Sequence, residues 1–322
     1  METYILHNKK GGVGKSSSTI NLATMLAALG FQVGLVDGDD QANATSVALP
    51  RRHFPMTLTD VVTRRDEEVG RKTLHTAMVQ VRKRLWVVPA DTDLGSAQVH
   101  IRRANDFDIL TDRVDELRRT LASAPPRNRL PWWNQPTVNI NAFQVEATSD
   151  EEYMEHPAYL DFLFFDSPPH DDELTVSMLF ASDKVIIPTE LEEFSFQGLA
   201  QLIDRVKQRF RHRNKMIEFA GILPNKMLHR PNHTMPLDYL ESLFKHFPEL
   251  ALRPVHFDPT VSEAQGYHTT ALELKNDARA VREYCALALE LVGYEGTFSG
   301  LPICDLCASA VKRAYETEES VG

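Results

Sequence analysis

Cysteine is scarce in this 322-residue chain: there are three, all after residue 284. Three thiols crowded into one end cannot build the disulfide framework of a small secreted domain. A chain of this length needs none, because it can bury enough apolar surface to fold without staples. Long hydrophobic runs are also missing, so no segment reads as a membrane span. The N-terminus METYILHNKK enters a strand-like segment directly, without the layout of a signal peptide. A reducing cytoplasm is the expected compartment. Basic residues are outnumbered, 35 Lys and Arg against 45 Asp and Glu, which leaves a formal net charge of −10. That balance excludes a surface coated in positive charge for wrapping nucleic acid, though not a local basic patch.

What is present reads as alternating strands and helices. Thr3 to His7 is short and apolar, and the glycine-rich run KKGGVGKSSS (9–18) follows at once. Ile20, Leu22, Ala23, Leu26, Ala27 and Leu29 then recur at helical spacing until Gly30, and Val33 to Val36 reads as a second buried strand. Strand, loop, helix and strand in so few residues make a βαβ unit and predict a parallel sheet. Further strands are expected at Leu85–Val88, Leu160–Phe165, Val185–Ile187, Phe219–Leu223 and Leu252–Val255, and helices near 111–122, 197–211, 234–246 and 277–292. The whole chain, 1–322, is therefore expected to form one doubly wound α/β domain with its ligand at the carboxyl ends of the strands. Two segments break the rhythm. Residues 125–157 read as an insertion containing TVNINAFQVE, an edge strand or hairpin arm, and residues 296–322 as a C-terminal tail.

The glycine run carries the chemistry. It reads K-G-G-V-G-K-S, with Asn8 or Lys9 where the strict phosphate-loop pattern has its first glycine. Gly11, Gly12 and Gly14, with Val13 between them, let backbone N–H groups converge on phosphate oxygens. Lys15 can neutralise the β- and γ-phosphates. Ser16, beside Ser17 at the start of the helix, can ligate Mg²⁺ where the helix dipole also favours an anion. Asp166, at the end of a buried strand beside the loop, can hold the cation directly or through water.

With these residues the sequence resembles the ParA/MinD group of deviant Walker A ATPases, and especially the ParA/Soj-type partition proteins. The loop matches at Lys10 to Ser17, VDGDDQANATS (36–46) matches a second stretch, and LFFDSPP (163–169) matches the Walker B strand. The segments 187–202 and 261–271 are also similar. The resemblance implies that Lys10 reaches across an ATP-bound homodimer to the partner's phosphates. It also implies that Asp39 positions the attacking water, that Asp37 supports the Mg²⁺ shell, and that Asn225 lies in the base-binding pocket. Hydrolysis of ATP is then expected to be slow until a ParB-like centromere-binding partner or DNA completes the site. Asp40 replaces the family's proline, and His256 stands where the family commonly has another.

The helix from Gln197 ends in Arg205, Lys207, Arg209, Arg211, Arg213 and Lys215, an end expected to project into solvent. Alone this is a solvated helix cap. The resemblance turns it toward DNA bound without sequence preference, with Arg209, Arg211, Arg213, Arg230 and Arg279 as candidate contacts and the nucleoid as the place of work. A second family arginine falls on Thr260 and is absent. Two alternatives stay open: a related ATPase that positions a protein cargo, and, more distantly, an iron–sulfur carrier of the Mrp/ApbC type. The second is prompted by Cys304 and Cys307, but no cysteine follows Asn225, where those relatives place their pair. A membrane cycler of the MinD type is not expected, because the tail ends in glutamates that an anionic bilayer repels. The chain starts at the phosphate loop, so no operator-binding domain is expected ahead of it. Trp132 and Trp133 in the insertion are a candidate partner surface or a locally packed loop.

Overall fold

A computed structural model describes residues 1–48, 54–63, 72–126, 130–131, 133–134, 137–139, 156–191, 196–213, 215–228, 235–294 and 297–299. The chain opens with β1 (Glu2–Leu6), α1 (Lys15–Ala28), β2 (Val33–Asp37), α2 (Asn43–Ala48), α3 (Leu58–Thr63) and α4 (Leu74–Ala77). It continues through β3 (Val79–Arg82), β4 (Leu85–Val88), α5 (Leu94–Ala104), α6 (Ile109–Thr120), β5 (Thr137–Asn139), β6 (Phe162–Asp166) and α7 (Glu173–Phe180). Then come β7 (Lys184–Thr189), α8 (Phe196–Arg211), β8 (Glu218–Pro224), α9 (Met235–His246), α10 (Pro259–Gly266), α11 (Ala271–Leu274), α12 (Arg279–Leu291) and β9 (Thr297–Ser299).

Seven strands form one sheet in the order β3-β4-β2-β6-β1-β7-β8, all parallel except the edge strand β3. Both faces are covered, so the central strands are mostly apolar, with polar residues mainly at their ends, and successive residues feed opposite cores. Tyr4, Leu6, Val33, Leu35, Phe162 and Phe164 pack under α1 and α12. Ile5, Val36, Leu163, Phe165, Val185 and Ile187 pack under the layer that runs from α3 to α9. Phe164 is fully buried in the central strand β6, where truncation to Ala would cost roughly 3–5 kcal/mol. Helix α8 docks through Leu199, Leu202, Ile203, Val206 and Phe210, a buried stripe at helical spacing.

The doubly wound parallel sheet expected from the sequence is the observed fold, and the expected strands and helices fall within a few residues of their places, with one exception. Leu252–Val255 is not a strand. It runs beside β8 through isolated bridges, Ile222 to Ala251 and Met227 to His256. Pro254 has no N–H to donate and interrupts any ladder there. The segment 125–157 supplies β5, which pairs in parallel with β9. Trp133 packs edge-on to Tyr294, with ring centroids 6.3 Å apart, which favours a packed loop over a partner surface. Most of 125–157, nearly all of the tail, Trp132, Arg230, Cys304 and Cys307 lie outside the described residues.

Candidate nucleotide site

The strand order places the glycine loop at a switch point. From β1 the chain crosses over to β2, and the gap is later filled by β6, so the loop leaves β1 between β6 and β7. Gly12 and Gly14 both have positive φ, 81° and 85°, a region that favours glycine. At Gly14 the fold also leaves no room, since a Cβ there would stand 2.3 Å from Asn225 Nδ2. That amide donates to Val13 O at 2.9 Å and to Ser18 Oγ at 3.0 Å, while its oxygen accepts from the Lys226 backbone N–H at 2.9 Å. Asn225 is therefore the clasp that holds the loop against α1. It also lines a small adjoining cavity with His256, Phe257 and Tyr284, the space in which a base contact is expected.

The loop and its surroundings enclose a cavity of about 520 Å³ lined by Gly11, Gly12, Gly14, Lys15, Ser16, Ser17, Asp39 and Lys226, among others. A larger cavity of about 750 Å³ opens at the other end of the sheet, around Phe180, Asp183 and Glu218. It holds none of the phosphate-loop residues.

Lys15 is buried and donates to Lys10 O at 3.1 Å. Burial pulls its ammonium below the ordinary lysine range, and Asp166 and Asp39 oppose that pull. Lys10 is exposed on the outer side of the loop.

Asp166 and Asp39 face Lys15, Asp37 stands beside both, and the three carboxylates differ in their bonding. Asp166 is fully buried, and its Oδ2 accepts no hydrogen bond. Burial raises its pKa well above the usual carboxylate range, the Asp37 charge adds to the rise, and a hydrogen bond from Ser16 opposes it. Such a vacant buried oxygen next to a serine hydroxyl suits a hard cation. Among the described residues no three His, Cys, Asp or Glu side chains are grouped to hold a metal unaided, and Mg²⁺ asks for no such cage, since it keeps waters and shares phosphate oxygens.

Asp37 sits fully buried at the end of β2. Its Oδ2 accepts from Thr45 N and Thr45 Oγ1, both at 2.7 Å, and its Oδ1 from Asp39 N at 3.2 Å. Asp37 thereby braces the turn that carries Asp39, a bonding pattern compatible with support of a cation shell from behind. Burial pushes its pKa up to about 6. Asp39 lines the cavity, accepts from Gln41 N at 3.0 Å, and is raised by burial. Asp40 is exposed and bonded to Gln41 Nε2.

Several contributors escape motif reading. Gln265 donates to Ser17 Oγ at 2.8 Å, and Tyr284 meets Ser18 Oγ at 3.0 Å, which ties α1 to α10 and α12. Asp171 lies 2.5 Å from Lys9 Nζ, 2.8 Å from Arg209 Nη2 and 3.3 Å from the buried His7 Nε2. Burial alone would raise its pKa, but its contacts with His7, Lys9 and Arg209 hold it well below the usual carboxylate range. His256, which stands where the family commonly has a proline, is buried and bonded to Glu283 at 2.7 Å.

The basic helix end is less free than its composition suggests. Arg209 is committed to Asp171. Arg213 folds back onto Asp108 and stacks over Phe180, 4.1 Å from the ring centroid. The expectation that the whole end projects into solvent is corrected accordingly, because acidic residues on α6 and the 167–172 loop lie within reach. Arg205 and Arg211 remain exposed. Arg279 is on α12, paired with Glu283 at 2.8 Å.

Comparison with known proteins agrees with this geometry. The chain is 27% identical over 299 residues to the chromosome partitioning protein ParA of Caulobacter vibrioides, covering 92% of this chain and 95% of that one. It is 25% identical over 286 residues to the sporulation initiation inhibitor protein Soj of Bacillus subtilis, covering 88% and 95%. In fold it is similar to a Mycobacterium smegmatis cobyrinic acid a,c-diamide synthase solved with an ATP analogue and magnesium. That match has a TM-score of 0.63 and 19% identity, and covers 93% of this chain and all of the other. A family model described as the CobQ/CobB/MinD/ParA nucleotide binding domain matches residues 4–271. The chain belongs to that family.

Proposed function

We propose that this protein is a ParA-type partition ATPase. It binds ATP with Mg²⁺, pairs into a homodimer on ATP, holds DNA without sequence preference, and hydrolyses ATP slowly until a ParB-like partner stimulates it. Its place is the cytoplasm, on the nucleoid. The observation that carries the reading is the convergence of Lys15, Ser16, Asp39 and Asp166 on one glycine loop whose shape is held by Asn225.

Each residue has a distinct task. Backbone N–H groups of Gly11 to Gly14 and the start of α1 cradle the phosphates, and Lys15 neutralises them. Ser16 and Asp166 hold Mg²⁺, which supplies charge neutralisation at the phosphate oxygens when bound. Asp39, positioned by the Asp37–Thr45 brace, orients the attacking water. Phosphoryl transfer depends mainly on positioning and charge stabilisation, so no strong general base is required. Lys10 serves the partner's nucleotide in the dimer. DNA is held by basic residues that include Arg211 and Arg230, with contributions from Arg209, Arg213 and Arg279 wherever their carboxylate partners release them. Among the described residues no helix is long and apolar enough to cross a membrane.

The test is ATP-dependent mobility of random duplex DNA at low and high salt, run beside sedimentation of the protein with ATP and with ADP. The expected result is an ATP-dependent dimer that retards DNA steeply less as salt rises. A protein that stays monomeric with ATP, or leaves DNA unretarded at low salt, would overturn the reading.

A further inference from the structure

We propose that Lys226 is a third lysine of the nucleotide site, an anion contact that the nucleotide-free protein holds latched on Glu190. The proposal rests on the nucleotide-binding reading above and extends it to a residue outside the glycine motif.

Lys226 lines both the phosphate cavity and the small cavity next to it. Its backbone φ is 52°, a left-handed conformation that lysine rarely adopts and that a fold retains only where surrounding contacts enforce it. Here the enforcing contact is Asn225, whose side-chain oxygen accepts from the Lys226 N–H. The left-handed turn sends the side chain back across the glycine loop, with Cε 3.6 Å from where a Gly14 Cβ would stand. The ammonium donates to Gly12 O and lies 3.2 Å from Glu190 Oε1. Lys226 keeps 42% of its side chain exposed and Glu190 keeps 28%.

An ion pair this exposed contributes little to stability, so stability gives weak reason to hold a lysine in so uncommon a backbone state. A ligand gives a better one. A polyphosphate entering the loop brings several negative charges to the cavity wall where this ammonium sits, against the single charge of Glu190. Lysine has three rotatable donors on a flexible stem and can change partners without moving the backbone. Lys15 meets the phosphates from a different position, buried in the loop and bonded to Lys10 O, so the two lysines do not duplicate each other.

Glu190 and Lys226 therefore act in opposite directions on nucleotide affinity, which is the property to test. Titration of the full chain with Mg-ATP, read by calorimetry, compares wild type with Lys226→Met, Lys226→Arg and Glu190→Gln. Lys226→Met should weaken binding about tenfold, as loss of a charge-assisted hydrogen bond does. Lys226→Arg should stay within about threefold of wild type, and Glu190→Gln should tighten binding roughly two- to fivefold by removing the competitor. The unfolding midpoint of each nucleotide-free variant should match wild type. Wild-type affinity in Lys226→Met, or weakening in Glu190→Gln equal to that in Lys226→Met, overturns the assignment. Failure of wild type itself to bind Mg-ATP overturns the nucleotide reading along with it, whereas binding that is lost in Lys15→Met yet indifferent to Lys226 overturns this proposal alone.

Discussion

Gly14→Ala is the most demanding single test of how the phosphate loop is built. The residue has φ 85° and ψ 30°, and an alanine in this left-handed region costs about 1–2 kcal/mol. Its Cβ would also arrive 2.3 Å from Asn225 Nδ2, a separation no real side chain tolerates. Asn225 must withdraw, and it gives up its bonds to Val13 O and Ser18 Oγ, each worth roughly 1 kcal/mol net. Together these place the loss at about 3–4 kcal/mol, large against a typical total stability of about 5–15 kcal/mol. Urea unfolding followed by circular dichroism measures it. The steric part also predicts coupling. In an Asn225→Ala background the collision is gone, so the double variant should be at least ~1 kcal/mol more stable than the two single losses would give if they simply added. Strict additivity, or a Gly14→Ala loss below ~1 kcal/mol, would refute this account of the clasp.

Other predictions follow from the site and its neighbours. Lys10→Ala should bind ATP as wild type does but sediment as a monomer with ATP, while Asp39→Ala should form the ATP dimer and release phosphate at no more than about a hundredth of the wild-type rate. Arg211→Glu should lower DNA affinity and reduce the salt slope by about 1, whereas Arg213→Glu, which places a like charge beside Asp108, should mainly lower the unfolding midpoint. Arg82 grips Glu273 through two bonds of 2.7 and 2.8 Å and, against the opposing effect of burial, holds its pKa down to about 2 from 4.5. A depressed carboxylate contributes stability that is present above pH 4.5 and drains as pH falls toward 2. Arg82→Met should therefore lose about 2–3 kcal/mol at pH 7 in urea unfolding and show a flatter acid limb between those values.

How far the sequence alone leads depends on the range of the interactions involved. The βαβ start, the buried strands and the stripe of α8 are local patterns, and each falls within a few residues of its expected place. The glycine loop, Lys15, Ser16 and Asp166 are legible because phosphate chemistry demands those residue types at that spacing. What escapes is held by partners distant in sequence. Asn225 reads only as a base contact, and its bonds to Val13 and Ser18, more than two hundred residues earlier, are invisible in the sequence. Asp37 reads only as a metal neighbour, and nothing local shows that Thr45 N and Oγ1 both donate to its Oδ2. The basic run after Arg205 reads as a solvent-facing patch because nothing in the run reports that Asp108 and Asp171 lie beside it. Lys226 had one visible signal, its place directly after Asn225 at the end of a strand. Pro254 was equally visible and argues against a regular ladder at 252–255.

Asp171 is also a shared counter-ion. One negative charge sits between a lysine of the phosphate loop and an arginine of α8, and it cannot fully neutralise both. The Asp171 carboxylate, on the ledge between β6 and α7, therefore joins the start of the nucleotide loop to the surface of α8, and removing that one charge would leave two cations facing each other across the ledge.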